Sequence, residues 1–246
     1  MPSLFHPEWH PLFEALGYIA GYLVFRHLRH RLGDPLPEDR RWILIAATAV
    51  GALVGSRLLG LLEQAPQAGF HWDEFLTPGG GKTIVGGLLG GWLAVEIAKR
   101  LLGIRARSGD LFALPLCVGI AVGRIGCFLA GMADDTYGTP TSLPWGVDFG
   151  DGTPRHPTQL YELLFLSALG FMLWRAGNRP HPPGRIFRVF LAFYLAWRIF
   201  IDFIKPQPLV HGLNMIQWAC VVGLTAVAAG EWHGRGEAQR VQPVGQ

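Results

Sequence analysis

Seven apolar runs divide the chain, at approximately residues 11–28, 42–62, 83–101, 110–131, 157–175, 186–204 and 212–230. Each is close to the ~20 residues that a helix needs to cross a hydrocarbon core about 30 Å thick. The pattern predicts an all-α, polytopic membrane protein with a membrane domain over residues 1–230 and a polar tail over 231–246. Composition agrees: only 16% of residues are charged, against about 25% in soluble domains. The 33 glycines suit spans that pack closely, because small residues let helix backbones approach in lipid. A net charge of +3, without a basic cluster, gives no reason to expect a nucleic-acid partner. No basic region precedes the first run and no clear cleavage site follows it, so it reads as a retained span.

Loop charges orient the bundle. Five basic residues (Arg26, Arg29, Arg31, Arg40, Arg41) lie between the first two runs, with Arg26 at the end of the first included. Four lie between the third and fourth, with Lys99 and Arg100 included, and four between the fifth and sixth. The other loops carry one each: Lys82, Arg155 and Lys205. By the positive-inside rule the N-terminus is outside and the C-terminus cytoplasmic. This orientation gathers the intramembrane charges, Glu96 excepted, in the outer half: Arg57, Arg124, Glu162, Arg198, Asp202 and Lys205. Ionisable residues at bilayer depth are costly and usually face a partner or a wet cavity. Three arginines and a lysine there predict a site for an amphiphile that is anionic at one end, such as a phospholipid headgroup, because the guanidinium fork suits phosphate oxygens.

On the sixth run, Arg198, Asp202 and Lys205 are spaced i, i+4, i+7 and are expected on one helical face. Arg124 stands between Gly123 and Gly126, where glycine permits close approach of a ligand or another backbone. Cys127 is a candidate for polar lining beside Arg124, although all three cysteines lie in apolar runs without disulfide or metal-ligand spacing. No metal or cofactor is therefore expected. Gly79–Thr83 resembles the end of a phosphate-binding loop, but the pattern's first glycine is Leu76 here. The following Gly86, Gly87, Gly90 and Gly91 are expected to allow tight helix contact, and their backbone N–H groups could also meet an anion. Gln217 in the last run is either interhelical glue or a ligand contact.

The segments GRIGCFLAG, LPWGVDF and RHPTQLYE, in this order and at these separations, resemble the prolipoprotein diacylglyceryl transferases of bacterial inner membranes. The resemblance covers nearly the whole chain. It implies seven spans, an outside N-terminus and an active site toward the periplasm or outer leaflet. Its implied reaction moves the diacylglyceryl group of phosphatidylglycerol to the thiol of a lipoprotein precursor, forming a thioether and releasing glycerol phosphate. Arg124, Gly138, Arg155, His156, Gln159, Tyr161 and Glu162 match the family pattern, as do Tyr18 and Arg57 more loosely. The chain departs from it at Cys127, Ala130 and Met132 in the signature, at Val85 where the family has histidine, and at Lys205 where it has arginine.

Together these features assign phosphate holding and leaving-group stabilisation to Arg124 and Arg198, since fixed positive charge belongs where negative charge develops. With valine at 85, the candidates for the activating base are His156, Asp134, Asp135 and Glu162. Tyr18, Arg57, Gly86, Gly87, Cys127, Gly138, Arg155, Gln159, Tyr161, Asp202, Lys205 and Gln217 are candidate substrate contacts. The expected donor is phosphatidylglycerol or another anionic phospholipid. The acceptor is left open between the lipoprotein cysteine and another group, and the alternative is a non-catalytic phospholipid-binding or membrane-assembly protein on the same fold.

Overall fold

A computed structural model describes residues 5–70, 72–75 and 81–240. Among them, seven α-helices follow one another: α1 Trp9–Leu32, α2 Glu38–Ala68, α3 Ile84–Leu101, α4 Asp110–Ala130, α5 Thr158–Gly177, α6 Arg185–Ile201 and α7 Met215–Arg240. A two-stranded antiparallel hairpin, β1 Val147–Asp148 and β2 Pro154–Arg155, lies between α4 and α5. Among the described residues, three helical segments are long and apolar enough to cross a membrane: Glu38–Pro66, Asp110–Asp134 and Thr158–Gly177. Many large apolar side chains point outward, among them Leu53, Leu101, Leu164, Phe200 and Val222. That is the reverse of a soluble surface, where large contiguous apolar patches are rare, and it suits helices whose solvent is lipid.

The chain forms two compact units. The first comprises Met1–Arg41, Arg105–Phe190 and Phe200–Gln207. In it α1 packs along α4 at glycines: a Cβ on Gly17 would fall 2.6 Å from the Gly119 carbonyl oxygen, and one on Gly126 would fall 2.5 Å from Phe13 Cβ. Such approaches are open only to residues without a side chain. Beyond α4, Phe5, Phe128, Phe149 and Tyr137 form an aromatic cluster with ring centroids 5.3–6.1 Å apart. At the α1–α2 turn, Asp34 accepts from Arg41 Nε at 2.8 Å and Arg29 Nε lies 3.0 Å away. Burial alone would raise the Asp34 carboxyl, but the hydrogen bonds from Arg41 and Leu36 and the two guanidinium charges outweigh it and hold the pKa below its ordinary value. Arg41 itself is buried and lies over the Phe112 ring. Two arginines that count only toward topology in the sequence thus clamp a turn.

The second unit comprises Trp42–Ile104, Leu191–Ile199 and Pro208–Gln246. Here α2 and α3 meet along Gly51, Gly55, Gly86 and Gly90. A Cβ on Gly55 would lie 2.4 Å from the Gly86 carbonyl oxygen and one on Gly90 would lie 2.3 Å from that of Gly51. The tight contact expected of the third run is present, and Gly86 is part of it. Thr83 caps α3, its hydroxyl accepting from Gly86 N at 3.2 Å; residues 76–80, where the phosphate-loop comparison turned on Leu76, lie outside the described residues. Val85 is fully buried. At α7, Asn214 and Gln217 exchange bonds, Gln217 N donating to Asn214 Oδ1 (2.7 Å) and Asn214 N to Gln217 Oε1 (2.9 Å). This is a capping box. Gln217 Nε2 also donates to the Ile199 carbonyl at 2.9 Å, which ties α7 to α6.

Two boundaries differ from the apolar runs. α7 continues to Arg240, ten residues past the apolar limit at Gly230, because charge ends hydropathy without ending helicity. α6 stops at Ile201, Asp202–Ile204 tighten into a 3-10 turn, and Lys205 is extended. The i, i+4, i+7 face therefore does not reach Lys205. Instead Lys205 Nζ lies 3.5 Å from Asp202 Oδ1 with both side chains buried.

Candidate active site

The first unit carries a continuous chain of polar side chains between α1 and α5. At its α1 end, His10, Glu14 and Tyr18 recur every fourth residue and so share one helix face. The Tyr18 hydroxyl donates to Glu14 Oε1 at 3.3 Å, and Glu14 Oε2 lies 3.9 Å from His10 Nε2. His10 Nδ1 then meets Asp134 Oδ1 at 2.5 Å, while Thr136 Oγ1 donates to the other carboxylate oxygen. Asp134 is placed by the 3-10 turn Gly131–Asp134 at the end of α4, where Gly131 takes a positive φ of 66°.

One turn back on α4, Cys127 Sγ stands 3.9 Å from His10 Nδ1 and 3.8 Å from Arg124 Nη1. Arg124 Nη2 is 2.8 Å from Glu162 Oε2, with side-chain exposures of 5% and 1%. A buried pair at this separation is charge-assisted and short, and the low exposure means that solvent screens it little. Tyr18, Asp134, Cys127, Arg124 and Glu162, scattered in the sequence, thus converge. His10 and Glu14 were missed; their only signal was the i, i+4 spacing ahead of Tyr18.

The segment after the hairpin brings a second group together. Tyr161 hydroxyl accepts from Trp145 Nε1 at 2.8 Å and lies 3.2 Å from His156 Nδ1. His156 is fixed by its backbone, accepting from Gly138 N (2.9 Å) and donating to the Thr139 carbonyl (3.1 Å). Gly138 is pinched there: a Cβ would fall 2.6 Å from His156 Cβ and 2.9 Å from the Ile204 carbonyl oxygen. Trp145 is therefore a hydrogen-bond partner of Tyr161. One helical turn from Glu162, Gln159 is buried, and neither of its amide atoms is hydrogen-bonded among the described residues. At the hairpin, Arg155 donates to Asp151 Oδ2 (2.6 Å) and lies over the Tyr137 ring at 5.1 Å. The hydrogen bond from Arg155 holds the Asp151 carboxyl below the usual carboxylate range. Asp135 sits in the left-handed region beside the Tyr137 hydroxyl. Arg57, Gly86, Gly87, Arg198 and Gln217 belong to the second unit; there Arg198 is buried.

Apolar outward faces around a buried arginine–carboxylate pair and a histidine–tyrosine pair define the class: a helical membrane protein with an ionic site built among its helices. The comparison with known proteins is specific. The sequence pattern of the family described as prolipoprotein diacylglyceryl transferase matches residues 3–232, and the chain belongs to that family. Proteins from Geobacter sulfurreducens (34% identical, covering 84% of this chain and 80% of the relative), Cupriavidus metallidurans (31%; 87% and 89%) and Bordetella bronchiseptica (33%; 87% and 86%) are similar along most of their length. All three are named phosphatidylglycerol-prolipoprotein diacylglyceryl transferase.

Proposed function

We propose that this protein transfers the diacylglyceryl group of phosphatidylglycerol to the cysteine thiol of a lipoprotein precursor. A carbon–sulfur bond forms at the glyceryl carbon that bore the phosphate, the carbon–oxygen bond there breaks, and glycerol phosphate leaves with the electron pair. The observation that carries the reading is the buried Arg124–Glu162 pair on a chain matched to the family almost throughout. Arg124 is the group for the departing phosphate, where a preorganised cation counts most. Glu162 is ion-paired and so serves to position Arg124 rather than as the base. His156, held by its backbone and by Tyr161, takes the thiol proton. Gln159 offers a donor and an acceptor to the glycerol headgroup.

In this proposal all seven helices span a bacterial inner membrane, the N-terminus lies outside and the site opens toward the outer leaflet; the uneven arginine distribution among the loops supports it. The candidacy of Arg57, Arg198 and Gly87 rests on the sequence alone. A strain depleted of its own transferase tests the function. Expression of this chain is expected to restore growth and lipoprotein lipidation, and Arg124→Gln is expected not to. Accumulation in the membrane without rescue would favour a non-catalytic lipid-binding protein.

A further inference from the structure

The start of α1 and the end of α4 place three ligand types at one point: the imidazole of His10, the thiol of Cys127 and the carboxylate of Asp134, with ligand atoms all within 4.8 Å of one another. We propose that these three side chains bind a zinc ion. Zinc takes cysteine sulfur at about 2.3 Å and histidine nitrogen or carboxylate oxygen at about 2.0–2.2 Å, so ligand atoms in a tetrahedral site stand roughly 3.3–3.8 Å apart. The Cys127–His10 separation of 3.9 Å is slightly longer than that range and closes by a few tenths of an ångström on binding. His10 and Asp134, 2.5 Å apart in a direct pair, must part by a little under about 1 Å to admit the ion.

The surroundings are those that metal ligands require. Ligating histidines present their second nitrogen to a carboxylate, and ligating carboxylates are themselves hydrogen-bonded. Thr136 Oγ1 holds Asp134 Oδ2, leaving Oδ1 toward His10, and Glu14 Oε2, 3.9 Å from His10 Nε2 and outside hydrogen-bond range, is the carboxylate next to the second imidazole nitrogen. The charges balance too. A thiolate, a carboxylate and a neutral imidazole neutralise a divalent ion, so Arg124, 3.8 Å from Cys127 Sγ, faces no net positive centre and can donate to the thiolate. One sulfur, one nitrogen and one oxygen favour a borderline-soft ion over magnesium or calcium, which take oxygen ligands. Three protein ligands leave the fourth position to water, the arrangement of zinc sites that do more than hold structure. The His10 side chain is 40% exposed, which provides an entry path. Close packing of α1 on α4 at Gly17, Gly119 and Gly126 keeps His10 beside Cys127, while Asp134, on the turn beyond α4, is the ligand that moves. In sequence, 117 positions separate His10 from Cys127, which hides the cluster from any spacing rule.

The test uses the full, untagged chain purified in detergent, loaded with Zn²⁺ or with Co²⁺ as a spectroscopic probe, then desalted. The expected result is one equivalent of metal per chain. X-ray absorption should show a single sulfur at about 2.3 Å, and the cobalt form should show a thiolate-to-metal charge-transfer band. Cys127→Ser should abolish that band, whereas Cys117→Ser and Cys220→Ser should keep it. His10→Ala and Asp134→Asn should each weaken binding about 100-fold or more, since even second-shell losses cost 10–100-fold. Substoichiometric metal in the unaltered chain, a zinc shell without sulfur, or a charge-transfer band that survives Cys127→Ser would overturn the proposal.

Discussion

Replacing Gly86 and Gly87 separately by alanine should move stability in opposite directions, although the two are neighbours in one helix. A Cβ on Gly86 would sit 2.3 Å from the Gly55 carbonyl oxygen, 2.7 Å from Thr83 Oγ1 and 2.8 Å from Leu59 Cβ. Carbon contacts settle near 3.5–4.0 Å, so α2 and α3 would have to separate by about 1 Å. The nearest obstacle is backbone, which cannot rotate away. Overpacking of this kind costs about 1–3 kcal/mol. A Cβ on Gly87 would meet nothing closer than 3.7 Å, and alanine is favoured over glycine inside a helix by about 0.8–1.0 kcal/mol. The propensity gain applies at both positions and cancels, so the two variants should differ by the overpacking cost of roughly 1–3 kcal/mol, and the 2.3 Å approach to backbone puts Gly86→Ala in the upper part of that range, below the unaltered protein. Equilibrium unfolding in mixed micelles, followed by far-ultraviolet circular dichroism, measures both. Equal effects of the two substitutions, or a stabilised Gly86→Ala, would refute the packing argument.

Asp34→Asn should destabilise the protein by about 3–5 kcal/mol, because it leaves the buried Arg41 without its carboxylate. The pH dependence follows from the same pair: the folded Asp34 pKa lies below the unfolded value of about 3.9, so its stabilisation is complete above that value and is lost as pH falls through the folded pKa. A flat acid limb that the variant does not change would count against the clamp. Arg124→Gln should lower transfer by about 10²–10³-fold, while Glu162→Gln should cost less. In a double-mutant cycle the two effects should be far from additive; additive losses would separate residues that the structure pairs. His156→Asn should cost about 10²–10⁴-fold if it is the base, and Tyr161→Phe should show a much smaller loss. Equal losses would assign His156 to support alone.

The helices were legible where apolar length and helix length coincide. The run 110–131 became Asp110–Ala130, and 83–101 became Ile84–Leu101. They were less legible where charge interrupts a helix without ending it, as in α7 beyond Gly230, or where the chain tightens, as at Asp202. The arginine side of the candidate site could be read from Arg124 and Glu162 because a charge inside an apolar run has few uses. His10 could not, because it stands just ahead of the apolar stretch and its partners are more than a hundred residues away. Asp34 escaped for a related reason: positive-inside counting weighs arginines and ignores the carboxylate between them.

The most direct measurement gives the purified protein phosphatidylglycerol labelled in its headgroup and a lipobox peptide, and counts both products. The account predicts equal amounts of thioether-modified peptide and glycerol phosphate, both lost with Arg124→Gln and neither formed when the peptide cysteine is serine. Phosphatidylglycerol consumed with the peptide unmodified, or left intact beside folded membrane-inserted protein, would contradict it.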